Sequence, residues 1–167
     1  MLNKISNSIG WSILTDGLSL GVIVVDREYR ILLWNQWMEQ NTGIAEEDIL
    51  GQHLFERYPE IQARHKDKHL IECIEKKKPV FLSPLFHKHF LPIEIVQDGT
   101  HPSTMLQNVK IYPVVESGEM PGAVIIIEDV SEEAYHEWKV TRLNRIIRGI
   151  RNVNQLITRA TSEQELL

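Results

Sequence analysis

Hydrophobic residues near the carboxyl end of the chain recur at alternating spacings of three and four positions. This spacing is typical of the a and d positions of a two-stranded coiled coil. Such a stripe is buried only when a second helix packs against it, so the pattern predicts a homodimer that forms through a carboxyl-terminal helix. The predicted dimer seam consists of Leu143, Ile146, Ile150, Val153 and Ile157.

Upstream of this helix the apolar residues fall in short runs that are rich in β-branched side chains, which is typical of strands. Turn-forming or polar residues separate the runs. The pattern predicts five strands, two near the amino end of the domain and three in its later part. They cover residues 21–26, 31–34, 80–82, 105–115 and 123–127.

Helical patterns lie before and between these runs. Residues 5–17 predict an amphipathic lead helix, and residues 62–78 predict a longer helix with one apolar stripe. Asn35 is expected to cap a short helix that Gly43 ends, and Gly51 ends another. Strands at both ends with helices between them indicate an α+β domain, in which helices cover one face of a five-stranded antiparallel sheet.

Residues 84–103 contain three prolines and are expected to be irregular, because proline cannot donate to the hydrogen-bond ladder of a central strand. Long irregular segments of compact domains are commonly lids or binding loops. We therefore expect this segment to border a ligand cavity. The alternative is a flexible connection without a functional role.

The chain has 167 residues, a formal net charge of −5 and a pI near 5.8. This balance argues against a nucleic-acid partner. Cys73 is the only cysteine, which rules out an intrachain disulfide and favours a reducing compartment. No apolar run approaches the roughly 18 residues that span a bilayer. We therefore expect a soluble, cytoplasmic protein.

Three segments, taken in order, resemble a PAS domain. They are the strand pair within residues 21–35, the Thr-Gly turn with the short helix within 42–51, and the last strand with its exit within 122–131. In the third segment, Asp129-Val130-Ser131 is similar to the Asp-hydrophobic-Thr junction that ends many PAS domains. The resemblance covers roughly residues 15–131. It implies a five-stranded antiparallel sheet, helices on one face and a small cavity between them.

The resemblance also implies a sensor or dimerisation module that controls an output domain. Residues 1–17 would be the lead helix, 18–130 the PAS domain, and 131–167 a signalling coiled coil with a linker. The linker is similar to those of bacterial signalling proteins that lead into GAF, histidine kinase or diguanylate cyclase domains. We therefore expect a covalently linked output domain, as in two-component systems. Asp129 and Ser131 form the expected signal junction, where Ser131 caps the long helix.

Histidines on the predicted helix over 62–78 are candidates for metal or haem chemistry. His65, His69 and Cys73 lie four residues apart, so one helix would place them on one stripe. Two histidines at this spacing can bind zinc. Similarity to haem-binding PAS domains would make His65 or His69 an axial ligand. The alternative, a solvated helix edge, is favoured by the charged residues between them.

His87 and His89 would share one face of an extended segment. Together with His69 they could close a site across the mouth of the cavity. The alternative is the polar face of a strand or lid whose other face consists of Phe86 and Phe90.

Trp34 and Cys73 are further candidates for the ligand pocket. Trp34 either lines the cavity or packs in the core, where large aromatic residues usually lie. Cys73 lacks the flanking Asn-Cys-Arg motif of flavin photosensors, which argues against a flavin and favours a small buried side chain. No phosphate-binding loop or nucleophile motif is present, so the chain is not expected to be an enzyme.

Three functions remain open from the sequence. The first is an input module that senses a small molecule or a partner and passes the signal to the long helix. The second is an interaction scaffold with a filled cavity and no ligand. The third is a small metalloenzyme that uses His65 and His69 with His87 or His89. The sequence does not identify the ligand or the cofactor.

Overall fold

The computed structural model describes residue 15 and residues 17–97, 101–116 and 119–164. The predicted lead helix over 5–17 falls almost wholly outside the described residues. The elements are, in chain order, β1 (Gly21–Asp26), β2 (Ile31–Trp34), α1 (Gln36–Thr42), α2 (Glu46–Ile49), α3 (Leu54–Arg57), α4 (Glu60–Ala63), α5 (Asp67–Lys76), β3 (Val80–Leu82), α6 (Pro84–His87), β4 (Glu94–Gln97), β5 (His101–Thr104), β6 (Gln107–Glu116), β7 (Glu119–Asp129) and α7 (Ser131–Gln164).

As predicted, five strands form one antiparallel sheet, and their order is β2-β1-β7-β6-β3. Strands β1 and β7 lie side by side in register, with Ile23 opposite Ile125 and Val25 opposite Ala123. These four residues are fully buried. The sheet therefore presents a continuous apolar face, because side chains of one strand alternate between its two faces.

Gly122 allows β1 and β7 to approach closely. A Cβ atom at this position would lie 1.8 Å from the backbone oxygen of Val25. Any side chain would therefore separate the two central strands. The close pairing of β1 with β7 depends on this glycine.

Helices pack on the apolar face of the sheet and fill the space above it. Met38 from α1, Leu70 and Cys73 from α5, and Phe90 and Leu91 from the segment before β4 are buried among the sheet residues. The α+β architecture with one five-stranded sheet is confirmed, and its interior is packed with large side chains.

The predicted single helix over 62–78 is wrong. The chain leaves α4 through His65, whose backbone is left-handed (φ 54°), and α5 begins only at Asp67. The His65 N–H donates to Gln62 O at 2.9 Å, and the Lys66 N–H donates to Ile61 O at 2.8 Å. This pair of bonds is the Schellman ending of a helix. Glycine usually occupies the left-handed position that follows a helix. Because His65 occupies it here, the local sequence does not indicate that the helix ends.

The prediction of irregular structure over 84–103 is also wrong in part. The segment contains α6 and the antiparallel ribbon of β4 with β5, in which Pro102 is opposite Val96. A two-stranded ribbon tolerates proline, because each of its strands has an unpaired edge where the missing N–H is not needed.

The chain divides into two compact units, residues 1–130 and 131–167. The second unit contains α7, a helix of 34 residues with Glu132 and Glu133 in its first turn. Negative charge there is favourable at the positive end of a helix. Among the described residues, no helix combines the length and the apolar character that crossing a membrane requires.

Candidate ligand and signalling site

Trp34 ends β2 and is part of the core. Its indole stacks on the Tyr58 ring at 6.3 Å between centroids, and its Nε1 donates to Ile44 O at 3.2 Å. The residue is 1% exposed. The tryptophan therefore joins the sheet to the helices, which is the packing role expected of a large aromatic residue.

Next to Trp34 lies a cavity of about 150 Å³ on the amino side of α1. Its lining is largely polar. It consists of Thr15, Leu33, Trp34, Asn35, Gln36, Glu39 and Glu46. The two carboxylates are already engaged, since Glu39 Oε1 accepts from the Glu46 N–H at 2.6 Å and Glu46 Oε1 accepts from the Trp34 N–H at 3.4 Å.

Tyr58, whose ring stacks on Trp34, carries a buried polar atom. The side chain lies in the core, and within the described part of the chain its hydroxyl oxygen has no hydrogen-bond partner. Burial raises the pKa of this phenol. An unpaired buried hydroxyl is costly, so this position suits a polar group of a bound molecule.

His69 and His87 are in contact. Their rings meet edge to face at 5.0 Å between centroids, with His69 on α5 and His87 at the end of α6. Burial, and then the neighbouring His87, lower the pKa of His69. Two of the three histidines expected to close a site are therefore neighbours, and the site across the mouth of the cavity stays a prediction. The expected arrangement of His87 with His89 on one extended strand is wrong, because His87 belongs to a helical turn.

Cys73 does not share a stripe with His65, because His65 precedes α5 and its backbone is left-handed. Its thiol is buried and donates to Ile111 O at 3.6 Å. Burial raises the thiol pKa to about 11. The side chain thus remains a neutral thiol inside the core at physiological pH.

No group of three or more His, Cys, Asp or Glu side chains among the described residues is arranged to hold a metal ion. The break at His65 removes the stripe on which the expected zinc site depends, while the role of His65 or His69 as a haem ligand stays a prediction. Phe86 and Phe90 also do not share a face, since Phe86 is 85% exposed and Phe90 is buried.

A cationic cluster surrounds His89. Arg64 Nη1 lies 3.0 Å from His89 Nε2, and the Lys66 ammonium donates to the His89 carbonyl oxygen. Burial, followed by the positive charges of Lys66, Arg64 and Lys88, lowers the pKa of His89 to about 4. His89 is therefore neutral at physiological pH. We define Arg64, Lys66, Lys88 and His89 as the His89 cluster.

Gln107 anchors the segment that carries His89 to the main sheet. Its Oε1 accepts from the Phe90 and Leu91 N–H groups at 2.7 and 3.0 Å, and its Nε2 donates to Leu91 O at 2.7 Å. The Gln107 N–H also donates to Lys88 O at 2.8 Å. The sequence indicates only a strand residue here, because its partners lie 16 or more positions away.

Gln107 also lies next to the expected signal junction at Asp129 and Ser131. Gln107 is opposite Asp129 in the register of β6 with β7, and the Val130 N–H donates to Leu106 O at 2.9 Å. The helix α7 begins at Ser131, two residues after β7 ends. Hydrogen bonds therefore connect the His89 segment to the end of β7.

Comparison with known protein families matches residues 13–82 to the family described as "PAS fold". Comparison with curated proteins gave no match. The similar solved structures include a sensory box sensor histidine kinase from Vibrio cholerae, at 24% identity and a TM-score of 0.54. That alignment covers 77% of this chain and 97% of the other.

Two further structures are similar at a TM-score of 0.57. The PAS domain of Bordetella pertussis BvgS is 21% identical, over 84% of this chain and 98% of that one. Histidine kinase ThkA, solved in complex with the response regulator protein TrrA, is 26% identical over 81% of this chain and 35% of that one.

The sheet order and the single packed helical face define a small α+β module. Residues 13–82 match the PAS family, and the similar solved structures share the fold.

Proposed function

We propose that this chain is the sensory and dimerisation input module of a bacterial signalling protein of the sensor histidine kinase or nucleotide cyclase type. The PAS fold supports the sensory role. The similar ThkA chain is a histidine kinase solved with a response regulator, which supports an output domain linked through residues 131–167. A lone, buried cysteine suits a cytoplasmic location.

The observation that carries the dimerisation role is the apolar surface of α7. Leu143, an a position of the predicted seam, is 51% exposed, and Val140 and Ile147, three residues before it and four after it, are 58% and 52% exposed beside the seam. Apolar side chains at this spacing are buried when a second identical helix packs against them. A second copy of the chain is therefore the proposed partner of α7.

The proposed signal path runs from the sensory unit to this helix. A shift of the segment at residues 88–91 would move Gln107, because four hydrogen bonds connect them. Gln107 is opposite Asp129, and the chain continues from Asp129 through Val130 to the first residue of α7. Ligand or partner binding would then bias the register or rotation of the paired helices.

A ligand-free interaction scaffold is the second candidate. The large side chains that fill the interior, among them Trp34, Met38 and Phe90, favour it. The buried hydroxyl of Tyr58, which has no partner among the described residues, favours a bound small molecule instead. Native mass spectrometry of the purified protein distinguishes the two, because a retained small molecule adds its own mass.

The test of dimerisation is the double substitution of Ile146 and Ile150 by Asp, measured as mass in solution by light scattering. Two aspartates in the seam should convert the dimer to a monomer. The matched control is Thr141→Asp with Asn144→Asp, which adds the same charge outside the seam. A monomeric wild-type chain, or a dimer that survives the seam substitutions, would contradict the proposal.

A further inference from the structure

Lys66 occupies a position where apolar residues commonly lie. It follows the left-handed His65 in the Schellman ending of α4, and this second position after the helix usually packs an apolar side chain against the last turn. Lys66 is only 5% exposed. Its ammonium donates to the His89 carbonyl, which uses one of its three N–H donors.

Lys66 lies near other positive side chains in the described part of the chain, and it has no paired carboxylate there. Arg64 bonds to the His89 ring, and Lys88 precedes His89 in the chain. Within the described ranges, ion pairs join Lys76 to Glu72 and His136 to Glu132, but none involves a member of the His89 cluster. The cluster is therefore without a paired counter-charge among these residues.

Burying a lysine without a counter-charge is costly. Consistent with this, burial and the nearby Arg64 lower the pKa of Lys66 to about 8. The guanidinium of Arg64 keeps four N–H donors beyond the one directed at His89. Lys66 and Arg64 therefore both keep N–H donors that can bind a ligand. Their positive charges are not neutralised by other described residues, and a bound anion would neutralise them.

We propose that the His89 cluster binds a small dianion through its carboxylate or phosphate group, with Lys66 and Arg64 as the main ligands and Lys88 at the rim. Planar guanidinium groups bind such groups in a bidentate manner, and a buried ammonium adds a strong charge-assisted bond. The neutral His89 ring orients Arg64 by accepting from it.

This site would act as an input only if the proposed sensory function is correct. The bound anion would hold Lys66, whose ammonium donates to the His89 carbonyl oxygen, and Gln107 connects the adjacent residues 90 and 91 to β6. The ligand would therefore act on the same segment that leads to the end of β7. Binding itself does not depend on that function.

The test is calorimetric titration of the full chain with inorganic phosphate and with succinate, at constant ionic strength set with chloride. The two probes distinguish a phosphate ligand from a dicarboxylate. We expect saturable binding of at least one of them. At pH 8, binding should also take up roughly half a proton, because an anion raises the pKa of Lys66 from about 8.

Lys66→Met keeps the aliphatic stem and removes the charge, and Lys78→Met is the control at an exposed lysine. Lys66→Met should weaken binding at least tenfold and raise the Tm of the ligand-free protein, because it removes an uncompensated buried charge. A purely structural lysine would instead give a lower Tm. Absence of binding of both probes, or binding that survives Lys66→Met, would overturn the site.

The experiments distinguish failure of the anion site from failure of the proposed sensory function. Binding with no change in the mass or cross-linking of α7 would leave the anion site in place and contradict its role as an input. Dimers that form normally without anion binding would contradict only the site.

Discussion

Gln107 pairs with the backbone of Leu91 through both ends of its side-chain amide. Its Nε2 donates to Leu91 O at 2.7 Å, and its Oε1 accepts from Leu91 N at 3.0 Å. The side chain thus replaces one rung of a β-ladder, since strand pairing uses the same two backbone groups. Because Gln107 is 1% exposed, no water competes for these bonds.

Gln107→Leu should destabilise the domain by about 3 kcal/mol, because the buried N–H groups of Phe90 and Leu91 would lose their partner and Leu91 O would keep only the bond from Ile93 N. Urea unfolding measures this loss. Hydrogen exchange should also become faster at Leu91. A stability within about 0.5 kcal/mol of the wild type would show that water or a neighbour replaces the amide.

Asn108→Leu is the control for that substitution. Asn108 follows Gln107 on the same strand, points to the opposite face and bonds to Glu128 Oε2 at 2.9 Å. The residue is half-buried, so the loss of this bond should cost less than about 1 kcal/mol.

Asn35 connects three parts of the fold with one side chain. Its Oδ1 accepts from Val22 N at 2.9 Å and from Met38 N at 3.3 Å, and its Nδ2 donates to Leu20 O at 2.9 Å. Asn35→Ala should therefore cost about 3 kcal/mol in urea unfolding, more than the roughly 1 kcal/mol typical of a helix cap alone. Asn41→Ala, which removes one half-buried bond to Trp37 O, should cost much less.

Features set by neighbouring residues can be predicted from the sequence. The central strands are correct because their β-branched runs are local signals, and Asn35 and Gly43 are correct as helix boundaries because capping depends on a few adjacent positions. The antiparallel sheet follows from the grouping of the strands.

Features set by distant residues cannot be predicted in this way. The left-handed backbone of His65 has no glycine to signal it, so the pattern of α4 and α5 is that of one helix. Lys66 and Gln107 are polar residues whose burial depends on partners 23 and 16 positions away. A pattern of apolar and polar residues assigns such side chains to the surface, and it therefore misses the cationic cluster.

Gly122→Ala should be strongly destabilising, because the new Cβ would overlap the Val25 carbonyl that pairs across β1 and β7. We expect a loss of roughly 3 kcal/mol, at the upper end for steric overpacking. The matched control is Gly17→Ala, where no atom lies within 4 Å of the added Cβ. Thermal unfolding of the two variants measures the difference.

Acid should weaken the domain through His89. Its folded pKa of about 4 is below the value of about 6.5 for an unfolded histidine, so the unfolded chain binds the proton more readily. Stability from this group is therefore complete above pH 6.5 and is lost as pH falls towards 4, by about 3 kcal/mol in total. Arg64, Lys66 and Lys88 all oppose protonation of His89.

Urea unfolding between pH 4 and pH 7 measures this effect against His89→Gln. Glutamine at position 89 does not titrate. The free energy of unfolding of this variant should therefore fall less between pH 7 and pH 4 than that of the wild type. If the two proteins show the same slope of stability against pH, His89 is not the group responsible.

A disulfide can report the packing of α7 against a second copy. Leu143 is an a position of the predicted seam and is half exposed in the single chain. In a parallel two-stranded coiled coil, cysteines at this position come close enough to form a disulfide. Leu143→Cys should therefore give a covalent dimer under mild oxidation, detected by non-reducing electrophoresis.

Arg148→Cys is the matched control, because position 148 lies on the outer face of the same helix in this heptad register. It should remain largely uncrosslinked under identical conditions. The native Cys73 does not interfere, since it is buried and its raised pKa keeps it as a thiol. Equal cross-linking at both positions would mean that chains collide without a defined seam, and cross-linking at 148 alone would place the seam on the other face of α7.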